Sequence, residues 1–143
     1  MRKVTNNMDG YNLIIIYNKD INKVLMCKRV NEPFYGKYNF CGGKIEKNEK
    51  SEKAAYRELS EESNIQKSDV KLEHLTTLFY HMEEYYIDVY VGILNSNTIE
   101  IYGDENPLYW ISIYEDFFDS KNFAGYGLIG HLLEESKRNF LKE

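Results

Sequence analysis

A chain of 143 residues, 43% hydrophobic and 29% charged, is long enough for one domain whose core needs no covalent staples. Its 18 basic against 23 acidic residues give a formal charge of −5, which argues against a duplex nucleic-acid binder with a basic face. Two cysteines make no disulfide framework, nothing at the N-terminus has the pattern of a signal peptide, and the longest apolar run is far too short to span a bilayer, so the expectation is a single domain over residues 1–143 in a reducing cytoplasm.

In chain order, Leu13–Tyr17 is a β-branched apolar run and Val24–Arg29 a second strand, with the hairpin chemistry of "NKDIN" (18–22) between them. Residues 30–37, with Pro33 and Gly36, form a loop, and Tyr38–Cys41 a short strand running into a Gly42-Gly43 turn. Ser51 is positioned to cap a helix from Glu52 to about Ser63, with Ala54, Ala55 and Leu59 on its apolar side. Val70–Tyr80 reads as a strand; in the next, Ile87, Val89, Val91 and Ile93 share one face at period two. Tyr109–Ile113 is a further short strand, and Leu128, Ile129, Leu132 and Leu133 have helical spacing within a segment from about Tyr126 to Leu141. Strands on both sides of a central helix, with a second helix at the end, predict an α/β fold: a mixed sheet covered by helices on both faces.

The first helix carries "RELSEE" at 57–62. Glu58, Glu61 and Glu62 are neighbours on one face, because positions three and four apart adjoin on a helix. A merely solvated acidic face would carry lysines at that spacing, as Glu49 and Lys53 do upstream, but Glu58 looks onto Glu62, Glu61 onto Ile65 and Glu62 onto Gln66. Unpartnered clustered carboxylates suit a hard divalent cation such as Mg²⁺, which takes oxygen ligands and leaves room for phosphates. Gly42-Gly43 lets the backbone come close to a ligand and can add a neutral carbonyl oxygen. Cys27 and Cys41 have no zinc-ligand spacing with His74, His81 or His131.

From Gly43 the pattern continues through Glu49 and Arg57-Glu58-Leu59-Ser60-Glu61-Glu62-Ser63-Asn64-Ile65, and it resembles the Nudix box, G-x5-E-x7-R-E-U-x-E-E-x-G-U, with U a bulky aliphatic residue. The one departure is Asn64 in place of the second glycine; that glycine ends the helix in a left-handed conformation, which Asn tolerates next best. The resemblance implies an α/β/α sandwich that hydrolyses a nucleoside diphosphate linked to another group, using Mg²⁺ or Mn²⁺. It implies that Glu58, Glu61 and Glu62 hold the metal, with the Gly42 carbonyl as an added ligand, and that Arg57 fixes Glu49 by a charge-assisted bond. Members of that family differ over which glutamate accepts the water's proton; the expectation for this chain is Glu58, with Glu105 second.

The flanks give a substrate expectation. "KYNFCGGKIE" (37–46) is similar to the MutT type, which sanitises oxidised purine nucleoside triphosphates, with Cys41 where a proline is usual. By the same resemblance Asn39 would contact the base and Lys28 line the substrate site, while "GDENPLYW" (103–110) offers Glu105, with Asp104 as its competitor, as a further metal ligand or base. Asp119 and Asn122 fall where base-reading residues sit in that group, and Trp110 suits a core or pocket wall. The expected substrate is a small nucleotide, 8-oxo-dGTP first, for a monomer or weak dimer without membrane or duplex partners. The alternatives are hydrolysis of ADP-ribose or a nucleotide sugar, or a Nudix regulator that binds nucleotide without cutting it.

Overall fold

The computed structural model describes residues 8–103 and 105–141. Seven strands and two helices follow in the order β1 (Asp9–Tyr17), β2 (Lys23–Lys28), β3 (Tyr38–Asn39), β4 (Cys41–Ile45), α1 (Ser51–Ser63), β5 (Glu73–Tyr80), β6 (Tyr85–Ile93), β7 (Leu108–Ser112) and α2 (Leu128–Asn139). All seven strands join one sheet along β3-β2-β1-β6-β5, with β4 added beside β1 and β7 beside β2. The β1–β6 pair is parallel from Asp9↔Tyr85 to Tyr17↔Ile93, and the other ladders are antiparallel.

The unbroken Ile14-Ile15-Ile16-Tyr17 run is what a strand covered on both faces requires. Ile14 and Ile16 pack with Leu25, Tyr90 and the α1 residues Ala55 and Leu59. Ile15 and Tyr17 point the other way, onto Val89, Val91, Ile129, Leu132 and Leu133. The two helices therefore close opposite faces, the expected α/β/α sandwich, and Ile87, Val89, Val91 and Ile93 share the α2-side face as their alternation predicts. Among the described residues no helix is long and apolar enough to cross a membrane.

Several elements differ from the sequence reading. Gly42-Gly43 is not a turn: both lie inside β4, paired with Leu13 and Asn12 of β1, and the expected strand at 38–41 divides into β3 and the start of β4. A Cβ at Gly42 would fall on the Asn12 carbonyl, so glycine is needed here for close approach of two strands. Ser51 does not cap α1 either. Lys50 holds the cap position without a side-chain bond, and the Ser51 hydroxyl instead donates to Asp88 and accepts from the Tyr90 hydroxyl at 2.8 Å. The fourth expected strand, Val70–Tyr80, begins at Glu73, leaving Val70 in an isolated bridge with Leu94. Asn64 ends α1 in the left-handed conformation, φ 67° and ψ 10°, its N–H donating to the Ser60 carbonyl at 3.0 Å.

Candidate functional site

α1 packs Ala54, Ala55 and Leu59 against the sheet and turns Arg57, Glu58, Glu61 and Glu62 toward β4 and the loop before β7. Arg57 is the organiser. Its guanidinium donates to both Glu49 oxygens (Nε to Oε2 at 2.8 Å, Nη2 to Oε1 at 3.0 Å), to Glu58 at 3.1 Å, to Glu61 at 3.3 Å and to the Lys44 carbonyl at 3.2 Å. The Glu49 fork is bidentate and mostly shielded, the two side chains being 26% and 14% exposed, so it fixes orientation where an open surface pair would not. Arg57 holds the Glu49 carboxyl down at about 2, so Glu49 stays ionised and is occupied as an anchor.

Glu58 and Glu62 lie in the opposite regime. Burial raises both carboxyls above their ordinary range, in Glu58 against the lowering pull of Arg57. In Glu62 the rise reaches about 7: burial dominates, the Gly42 N–H bonded to Oε1 at 2.8 Å opposes it, and Glu58 and Glu105 add to it. Gly43 makes room for this arrangement, because a Cβ there would fall on the Glu58 carboxyl group.

Glu58, Glu61, Glu62 and Glu105 line one cavity of about 160 Å³, with Cys27, Asn106 and Leu108. The structure thus brings the three helix glutamates together with Glu105, while Asp104 lies outside the described residues. Among the described residues no three His, Cys, Asp or Glu side chains stand in ion-holding geometry. The donor set nonetheless fits a hard divalent cation: it is all carboxylate oxygen, and the burial that pushes Glu62 toward neutrality is what a bound positive charge would offset.

Through Cys27, Glu62 and Asn106 this cavity adjoins a second, of about 370 Å³, walled by residues that include Tyr11, Leu13, Phe40 and Ile87. Through Leu13, Asn39, Tyr85 and Ile87 the second adjoins a third, of about 360 Å³, with Phe34, Tyr80 and Tyr126 on its wall. The three form a row with the carboxylates at one end. Asn39 lines both larger cavities. Lys28 lines none of the three; its ammonium sits 5.5 Å from the centre of the Tyr38 ring. Asp119 and Asn122 bond to each other at 2.9 Å in a turn outside the row. Trp110 packs on the α1-side core. Arg29, Asn12 and Asn106 enter the site unforeseen. Only Asn12 carried a signal, as a polar residue leading directly into the apolar run of β1.

No curated protein matches the chain, but the family model described as the NUDIX domain matches residues 9–114. Among solved structures, an Ap4A hydrolase from C. elegans, as a binary complex, superposes with a TM-score of 0.72 at 22% identity over 92% of this chain and 96% of that one. The NUDIX domain of NrtR from Shewanella oneidensis, complexed with ADP ribose, gives 0.70 at 18% identity over 94% and 89%. A MutT/nudix family protein from Enterococcus faecalis gives 0.63 at 19% identity over 81% of this chain but 48% of that one, so the chain spans about half of that relative. At these identities the structural likeness speaks to the fold; the family rests on the match over residues 9–114, which covers the box, the carboxylate cavity and most of both larger cavities. The chain belongs to the Nudix hydrolase family.

Proposed function

We propose that the protein hydrolyses a nucleoside triphosphate to the monophosphate and pyrophosphate in a Mg²⁺- or Mn²⁺-dependent reaction, with oxidised purine nucleotides such as 8-oxo-dGTP as the first candidates. The observation that carries this is a cavity lined by four carboxylates that opens through Glu62 into an apolar-walled cavity of about 370 Å³, phosphate chemistry beside a space of nucleoside size.

Glu58, Glu61, Glu62 and Glu105 would hold the metal, with the Gly42 carbonyl as a neutral donor. A divalent ion there supplies charge neutralisation for phosphate oxygens and lowers the pKa of a bound water. Glu58 is the general base in this reading: it lines the carboxylate cavity, whereas Glu49 is occupied by the bidentate Arg57 fork. Glu105, in the same cavity, is the second candidate. Arg57 and Glu49 act as positioning residues for the cluster. Asn39, between the two larger cavities, is the contact for the base; Lys28, Asp119 and Asn122 would act from the periphery. The buried free thiols of Cys27 and Cys41 support a cytoplasmic setting.

The third cavity supports a second reading, in which a second group of the substrate, as in ADP-ribose or a nucleotide sugar, lies against Phe34, Tyr80 and Tyr126. Chromatographic identification of the products from 8-oxo-dGTP, the ordinary dNTPs, ADP-ribose, a nucleotide sugar and a dinucleoside polyphosphate, in millimolar Mg²⁺, separates the two. Pyrophosphate from 8-oxo-dGTP supports the first reading and turnover of ADP-ribose or the sugar the second. Binding without any turnover would overturn both and leave a nucleotide-binding regulator.

A further inference from the structure

Phe34 and Tyr126 both line the third cavity, and their rings meet there edge to face, with centres 5.4 Å apart and planes at 67°. They come from two separate loops, and each holds a backbone conformation that a bulky side chain rarely takes: φ is 67° at Phe34 and 55° at Tyr126. Such outliers persist only where the surroundings impose them, and they gather at clamps and switch segments. The two halves of the pair are held differently. Phe34 packs on the α2-side core. Its loop is tied by backbone bonds: the Arg29 N–H donates to the Lys37 carbonyl at 2.9 Å, Gly36 to Arg29 at 2.8 Å and Lys37 to Phe34 at 3.0 Å. Tyr126 is 82% exposed, belongs to neither core cluster, and has Phe34 as its one aromatic partner among the described residues. It stands between Gly125 and Gly127, whose φ angles are 84° and 96°. A Cβ at Gly127 would meet nothing within 4 Å, so that glycine serves the backbone and not the packing.

A ring held by one weak edge contact, on a residue with a glycine at either side, has the build of a hinge. We infer that Tyr126 is a hinged flap on the third cavity. Closed, its ring lies on Phe34 and narrows the way in from solvent; open, it swings out about Gly125 and Gly127. The walls define what the flap admits. Leu13, Ile87 and Ile129 are apolar, Asn39 supplies the one amide side chain, and no charged residue lines the cavity, which suits an apolar or aromatic group and not a phosphate. The inference rests on the third cavity taking a ligand group, as in the second reading above, and not on which bond is cut.

Two measurements on the full chain, made without metal or nucleotide, test it. In amide relaxation dispersion, wild type is expected to show microsecond-to-millisecond exchange at Gly125, Tyr126 and Gly127. Phe34→Ala is expected to lose that exchange, since a flap with nothing to close on keeps one state. In stopped-flow binding of anilinonaphthalene sulfonate, an apolar aromatic dye, the wild-type rate should level off with dye concentration as opening becomes limiting. Tyr126→Gly tolerates the same backbone and lacks the ring. It should bind the dye without levelling off and at least about tenfold faster, because the minor state of such an equilibrium is at most about a tenth populated. Tyr126→Phe, which keeps the ring, should behave as wild type. No exchange in wild type, or the same dye kinetics in wild type and Tyr126→Gly, would overturn the inference. The expected exchange and dye kinetics without turnover of any substrate would sink the hydrolase reading and leave the flap standing; turnover with a rigid 125–127 segment would do the reverse.

Discussion

Gly43 is the residue on which the carboxylate cluster turns, because its missing Cβ is the space that the Glu58 carboxyl occupies. Gly43→Ala is therefore expected to move Glu58 and lower kcat by ten- to a hundredfold, on the scale of what an ångström of misplacement costs. A variant that kept most of the wild-type kcat, with its circular dichroism unchanged, would show that Glu58 needs no such position. Glu61 poses a different test. Its side chain is 56% exposed and contributes no packing, so Glu61→Gln should remove most turnover while leaving the melting temperature near that of wild type. Full activity in that variant would refute its place among the metal ligands. Cys27 and Cys41, by contrast, are held as unreactive thiols, burial pushing Cys27 up to about 11 and Cys41 well above its ordinary value.

Among the elements, α2 is tied to the sheet by apolar packing and by one buried hydrogen bond, between the Tyr17 hydroxyl and Ser136 Oγ at 2.5 Å. Tyr17→Phe removes that bond but leaves Ser136 its donation to the Leu133 carbonyl, so no donor is orphaned. The expected cost is about 1 kcal/mol in urea denaturation, and no change in the midpoint would mean that the bond contributes nothing net. The elements were legible where their signal was contiguous. α1 could be outlined from one segment, since its apolar contacts, acidic face and terminal Asn64 follow one another in sequence. β1 and β6 announced themselves by their apolar runs. β4 did not, because Gly-Gly reads as a turn and its extended form is imposed by pairing with Asn12 and Leu13, a tertiary demand. Ser51 misled for a related reason: its hydroxyl was drawn off by Asp88 and Tyr90 of a distant strand. The cavity residues were the least legible. Asn12, Arg29 and Asn106 come from three separate segments and meet only once the strands are paired.

For the whole molecule, the carboxylate cluster sets the sign of the acid response in the absence of metal. The Glu62 pKa is raised in the folded protein to about 7 from an ordinary value near 4.5. Between those values the folded state binds a proton that the unfolded state does not, so stability falls as pH rises through this window, by about 3 kcal/mol in all. Glu49, lowered to about 2, acts in the opposite sense and in a separate window, its contribution being lost as pH falls below about 4.5 toward 2. Metal-free protein is accordingly expected to melt higher at pH 5 than at pH 7. Glu62→Gln or saturating Mg²⁺ should flatten that difference, and a melting temperature that rises from pH 5 to 7 in metal-free wild type would contradict the reading. The ladders described above also fix an order of assembly. The Arg57–Glu49 fork and the β4–α1 approach join residues close in sequence, whereas the wall that carries Asn12, Tyr85 and Ile87 exists only after β1 has found β6 across everything from β2 to β5. Loop closure delays that pairing, as it delays the β2–β7 pairing that brings in Glu105, so a refolding chain is expected to gather Glu58, Glu61 and Glu62 beside the Arg57–Glu49 fork before it has anywhere to put a base.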